Sequence, residues 1–315
     1  MEKNQGFVFV IIPIIILILI VVIFLPKILQ QSVSILNPIT TPTATPSPTL
    51  VPITTPTITP VVTSKPTSSS SPKPASPMIS GPPGVGYSSV TVHTEKGDFG
   101  ARILSIDLNS SRMITDTAND SDCTNNCPVS NLSDFVAKNG GFAGVNATYL
   151  CPDTYPDCAS KKNSFDFPVW NTRLGHWING GNLGWNGRAI FYTDGSGAHY
   201  NQNASGFSGG LTAGVVNSPG LLDNGNVQID NNQSGLSDKQ RSVGTKVGIG
   251  LRDSKNVMVV IANNVNMLEF AYVFKALGAK SALNLDTGGS TALYYNGKYL
   301  VGPGRSIPNA IIFAR

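Results

Sequence analysis

The segment Asn284-Leu285-Asp286-Thr287-Gly288-Gly289-Ser290-Thr291 holds the residue types best suited to chemistry in this 315-residue chain. A carboxylate at the end of an apolar stretch, followed by two glycines and two hydroxyls, sets an acid beside backbone N–H groups that can converge on an anion. Such an acid can act as a base or nucleophile, while the N–H groups steady an anion. An isolated D-x-G-G-S is equally an ordinary corner between strands, with Asp286 capping the turn. Ser290 within Gly-Gly-Ser-Thr-Ala also suggests a hydrolase nucleophile. That idea fails on order, because the triad needs a His after the Ser and the last of the three histidines is His199.

Around this segment the last third of the chain is the most legible. Residues 256–262 have the composition of a buried strand. Asn266 with Glu269 three residues on is a capping box for a helix through Leu277, ended by Gly278. Residues 282–285 read as a strand, 286–290 as a turn and 291–295 as a strand; Asn296-Gly297 makes a type I′ turn into 298–301, and 310–313 is the closing strand. Upstream, 99–108 and 142–149 read as strands. Between them Ser130 can cap a short helix whose apolar face is Leu132, Phe135 and Val136, stopped by Gly140-Gly141. The Gly- and Asn-rich middle, 163–232, holds apolar pieces at 189–192 and 211–216 among turn signals such as Asp194-Gly195 and Asn224-Gly225. The expected fold is α+β: mixed, largely antiparallel sheets with a few helices, in a single globular domain behind an N-terminal membrane anchor.

That anchor is expected at residues 7–25, after a short flank of residues 1–6. The run contains nothing polar and is long enough to cross a hydrocarbon core of roughly 30 Å as a helix, and no small-x-small cleavage site follows it. Residues 26–85 read as a disordered stalk: 37–84 alone contain 13 of the 22 prolines and only two charges, Lys65 and Lys73. The folded domain is then 86–315. Its 18 Lys and Arg against 17 Asp and Glu leave a net charge of +1, which excludes nucleic acid as a partner on electrostatic grounds. All four cysteines, Cys123, Cys127, Cys151 and Cys158, fall in loop-like sequence whose spacing matches no common zinc site. Two disulfides are expected, with three pairings open, and they place the domain on the extracytoplasmic side.

Taken in order, Gly144-Val145-Asn146-Ala147-Thr148-Tyr149, Gly220-Leu221-Leu222 with Asn224-Gly225, Val247-Gly248-Ile249-Gly250, the 282–291 segment, and Arg305 with Pro308-Asn309-Ala310 resemble the phosphodiester glycosidase family, which includes the uncovering enzyme. The resemblance runs over most of residues 100–315 and is most specific in the final 35. It implies hydrolysis of a sugar 1-phosphodiester in a carbohydrate or glycopolymer, releasing the sugar and leaving a phosphomonoester. Asp286 is the expected catalytic group. Gly288, Gly289, Ser290 and Thr291 are expected to form the anion nest, Arg305 to grip phosphate oxygens as a fork, and Asn146 and Asn309 to orient sugar or phosphate. Thr287 stands where the family usually has a third glycine. Where it usually shows an arginine before Gly248, the equivalents here are Lys246 or Arg241. No metal site and no cofactor are expected.

A competing reading is a non-catalytic glycan-binding or envelope-organising module on the same fold. A third, a metal-dependent phosphodiesterase, needs two or three further ligands around Asp286 that the sequence does not supply. Geometry separates the first two: for a glycosidase Asp286, Arg305, Asn146 and Lys246 or Arg241 should line one pocket, and scattered side chains favour the binding module.

Overall fold

Consecutive buried residues such as Val259 and Val260 mark strands covered on both faces, and these occupy the centre of an eight-stranded sheet. In the computed structural model this sheet is ordered Met78–Ile79, Gly86–Thr94, Gly97–Asp107, Asn256–Val265, Gly244–Asp253, Ser281–Asn284, Gly220–Asp223 and Asn226–Val227. A second, five-stranded sheet runs Lys298–Val301, Leu293–Tyr295, Gly141–Asn146, Asn309–Ala314 and Arg112–Thr117. The third, also of five strands, runs His176–Ile178, Val169–Asn171, Ala213–Asn217, Ala189–Asp194 and Gly197–Asn201. Among the described residues every strand pairing is antiparallel except that of Met78–Ile79 with Gly86–Thr94. The structure describes residues 76–315 apart from 80, 82 and 234. The expected anchor at 7–25 and nearly all of the expected stalk lie outside the described residues; among those described, no helix is long and apolar enough to cross a membrane.

The inner faces of the three sheets share one core, to which Leu104, Ile249 and Val259, Val145 and Phe313, and Phe191 and Val215 contribute in turn. The opposite face of the large sheet is covered by the helix Met267–Ala276. Its Phe270 and Phe274 are fully buried, which stabilises the fold by about 2 kcal/mol each. They rest directly on Gly248 and Gly250: a Cβ on Gly250 would stand 2.9 Å from the Phe274 ring, so only glycine lets the helix lie this close. Helix Leu132–Lys138 covers the outer face of the second sheet in the same way, burying Leu132, Phe135 and Val136.

Local signals translate faithfully. Both capping-box hydrogen bonds form, Glu269 N–H to Asn266 Oδ1 at 2.9 Å and Asn266 N–H to Glu269 Oε2 at 2.7 Å. Asn296 and Gly297 take φ of 47° and 83°, as a type I′ turn requires. At the first helix the N-cap is Asn131, not Ser130. The fold is nevertheless more β-rich than the α+β expectation. Among the described residues the α-helices are Leu132–Lys138, Asp238–Arg241 and Met267–Ala276, the longest of 10 residues. Strands Gly86–Thr94 and Arg112–Thr117 were not expected, because Ser, Thr and Arg interrupt their apolar pattern; cross-strand partners fix them instead. The cysteines pair locally, Cys123 with Cys127 and Cys151 with Cys158. The first small loop is tied to the segment that follows the second by Cys127 N–H to Lys162 C=O at 3.0 Å and Lys162 N–H to Asn125 Oδ1 at 2.8 Å.

Candidate active site

Strand Ser281–Asn284 lies within the eight-stranded sheet, and beyond its end the chain crosses to Leu293–Tyr295 in the second sheet. Asp286 sits on that crossing. Its N–H donates to Ala147 C=O (2.8 Å) and its C=O accepts from Asn146 Nδ2 (2.7 Å). Asn146 Oδ1 accepts in turn from Ala292 N–H (3.0 Å), so one buried amide clamps both ends of the turn. Gly288 turns the chain at φ +74°, whereas Thr287 is extended at φ −117° and needs no glycine.

A cleft of about 180 Å³ opens over this turn, and its lining includes Tyr149, Tyr155, Lys239, Gln240, Ser290 and Arg305 with Asp286 itself. Burial pushes the Asp286 carboxyl up to about 7, against the Ser290 hydroxyl, the Arg305 charge and the Thr287 N–H, all of which favour its ionised form. Arg305 lies over the Tyr155 ring, 5.2 Å from its centroid, and Lys239 Nζ lies 4.2 Å from the same centroid. The neighbouring guanidinium of Arg305, with the charge of Lys239, holds the Tyr155 phenol below its usual range. Arg305 Nε and Nη1 are buried and have no hydrogen-bond partner in the protein. Two cations and one carboxylate thus face a single small cavity, an arrangement fitted to an anion that must be held beside an acid or base.

On the opposite wall Tyr149 Oη accepts from Gln240 Nε2 (3.1 Å) and Asn284 Nδ2 (2.6 Å). Burial pushes this phenol up to about 12, so it stays protonated and its single O–H remains to donate.

The expected residues divide into two groups. Asp286, Ser290 and Arg305 line the cleft, with Gly289 packed against the Arg305 guanidinium. Asn146 and Asn309 stand behind it: Asn309 Oδ1 accepts from Thr148 N–H (2.8 Å), holding the segment that leads to Tyr149. Thr291 is also buried outside the lining. Lys246 Nζ is engaged by the C=O groups of Lys239 (2.9 Å) and Ser242 (3.0 Å), and Arg241 by those of Asn231 (3.0 Å) and Gln233 (2.9 Å). Neither lines the cleft, so of the set expected in one pocket Asp286 and Arg305 meet there, while Asn146, Lys246 and Arg241 do not. The cation that does is Lys239, on the short helix Asp238–Arg241. A capping box, Ser237 with Gln240, starts that helix and was readable in the sequence; its position over Asp286 was not.

Residues 158–314 match the family described as phosphodiester glycosidase. The chain carries a phosphodiester glycosidase domain. The matched span includes Lys239, Asp286 and Arg305, and leaves out the strand that carries Asn146. Among solved structures the chain is similar to the zebrafish N-acetylglucosamine-1-phosphodiester alpha-N-acetylglucosaminidase catalytic domain auto-inhibited by its pro-peptide, at TM-score 0.57 and 14% identity, covering 77% of this chain and 87% of that one. It is also similar to a hypothetical protein from Synechocystis, at TM-score 0.50 and 15% identity, covering 73% of this chain and 62% of that one. The chain therefore spans less than two thirds of the Synechocystis protein, and at these identities both likenesses concern the fold. No curated protein matches the chain.

The phosphodiester glycosidase domain here draws one cleft wall from its disulfide loop, since Leu150, Pro152 and Tyr155 flank or lie within the Cys151–Cys158 bridge. Replacing both cysteines by Ser is expected to lower stability by about 2 kcal/mol in urea unfolding, as the short loop regains entropy. It is also expected to raise KM several-fold by releasing Tyr155 from beside Arg305. An unchanged KM would detach the loop from the site. Lys246→Met separates support from catalysis. Removing the ammonium that the Lys239 and Ser242 C=O groups share should cost about 1 kcal/mol of stability, while kcat/KM falls far less than in Arg305→Ala. Loss of activity with stability intact would return Lys246 to the phosphate.

Proposed function

We propose that the domain hydrolyses a sugar 1-phosphodiester, releasing the sugar and leaving a phosphomonoester, and that it acts on envelope or exopolysaccharide glycopolymers. The observation that carries this reading is Arg305: two buried guanidinium donors without a protein partner stand beside a buried carboxyl. Unpaired buried donors are costly, and a phosphodiester oxygen would satisfy them. The ionised Asp286 then takes a proton from water as the water oxygen bonds to the anomeric carbon. The bond from that carbon to the phosphate oxygen breaks with its electron pair leaving on phosphate. Arg305 and Lys239 receive the developing charge.

Glycosidases ordinarily use a second carboxyl to protonate the leaving group. Asp286 is the one acidic residue in this cleft's lining. A phosphate monoester, whose second pKa is ~6, leaves without that help. The two disulfides and the expected anchor at residues 7–25 support an extracytoplasmic, membrane-tethered location.

Product analysis on a synthetic N-acetylglucosamine 1-phosphodiester tests the proposal, with Asp286→Ala and added chelator in parallel. Free sugar plus phosphomonoester, abolished in the variant and indifferent to chelator, is the expected result. Sugar 1-phosphate would mean cleavage at phosphorus. Binding without turnover, with Asn146, Lys246 and Arg241 all off the cleft lining, would favour a non-catalytic glycan-binding module.

A further inference from the structure

The outer face of the third sheet carries a cluster of aromatic side chains. Trp177 meets Trp170 and Phe207 edge to face at 5.7 and 6.3 Å, and Phe207 meets Tyr192 at 4.9 Å. Beside this cluster Trp185 is 42% exposed; with Tyr155 at the cleft, 39% exposed, it makes up the exposed large aromatics among the described residues. A single exposed aromatic decides nothing. What sets Trp185 apart is an unbroken connection to the cleft. The ring of Tyr149, which lines the cleft, lies 6.1 Å from that of Phe167. The Arg188 guanidinium lies 4.6 Å over Phe167 and 5.5 Å from the Trp185 ring. Among the described residues Arg188 makes no ion pair.

Moving outward from Asp286, rings and a free cation thus alternate in short steps. Aromatic faces stack on the C–H faces of sugars, and a planar guanidinium grips phosphate. A chain that alternates sugar with phosphate matches this order, whereas a small soluble diester would fill the cleft and leave the track empty. We propose that Phe167, Arg188 and Trp185 form a distal subsite for the next repeat of a sugar-phosphate polymer whose scissile diester lies at Asp286. Binding there adds affinity remote from the reacting bond. The placement of the scissile diester rests on the function proposed above, but the subsite is read by binding alone.

The test uses the full-length chain carrying Asp286→Asn, in detergent, with calorimetry against two probes: methyl N-acetylglucosamine 1-phosphodiester and a hexamer of N-acetylglucosamine joined through 1-phosphodiesters. The hexamer is expected to bind at least tenfold more tightly than the monomer. Adding Trp185→Ala and Arg188→Ala should reduce that preference below threefold and leave monomer affinity unchanged, while Trp185→Phe with Arg188 intact keeps most of it. A hexamer that binds no better than the monomer, or does not bind, overturns the proposal. So does an equal loss for both probes, which would make these residues supports of the cleft. Should the parent chain hydrolyse neither probe while the hexamer preference persists, the cleavage reading falls and the subsite stands.

Discussion

Asp286→Asn is expected to lower kcat/KM for a sugar 1-phosphodiester by about 10³-fold, within the range of a lost general base, and to make the protein more stable at pH 8. The two effects share a cause. Burial lifts the carboxyl from 3.8 in the unfolded chain to about 7 in the fold. Between those values the native state holds a proton that the unfolded chain has released, so stability falls as pH rises from 3.8 to about 7. Above that window both states are ionised and the whole penalty is present, on the order of 4 kcal/mol. Asparagine keeps an acceptor for the Ser290 hydroxyl and removes the charge. Its Tm should therefore exceed that of the parent at pH 8, with the gain shrinking towards zero near pH 4. Activity follows the opposite slope: kcat/KM of the parent should rise with pH and level off above a midpoint near 7, because the ionised carboxylate does the work. A Tm difference that does not vary with pH, or a parent profile flat across neutrality, would take the base role away from Asp286.

How much of this was legible depended on how local each signal is. The corner at Asp286, the Asn266 capping box and the Asn296-Gly297 turn are written within a few residues, and each appears in the fold as read. Arg305 lines the cleft because the 302–305 bend returns the chain to Gly289, where Arg305 N–H donates to Gly289 C=O at 2.9 Å. Long-range packing decided the rest. Lys246 is one of two expected equivalents of the family's arginine, yet its side chain ties down the helix that delivers Lys239. Asn146 is expected as a ligand from its place in the family resemblance, but both ends of its amide are taken by backbone. Tyr155 lies in a loop whose disulfide pairing spacing alone left open, and its place between two cations exists only after that loop closes.

Arg305→Ala is expected to lower kcat/KM by about 10²- to 10³-fold, the usual loss when a donor to developing charge is removed, and to move the pH midpoint upward. The second effect distinguishes this arginine from one that merely attracts an anion. Its charge opposes the burial that raises the Asp286 carboxyl, so without it the carboxylate forms only at higher pH. Arg305→Lys should restore part of the midpoint, which depends on charge, and little of kcat/KM, which depends on two prongs held in a plane. Gly289→Ala offers an independent approach. A Cβ there would overlap the Arg305 guanidinium, and the flexible side chain would yield before the backbone, swinging its donors away from the cleft. Gly289→Ala is thus expected to reproduce the Arg305→Ala profile with the arginine still present. If Arg305→Ala leaves the midpoint in place and kcat/KM within threefold, the anion is held elsewhere, and Lys239 becomes the cation to remove next.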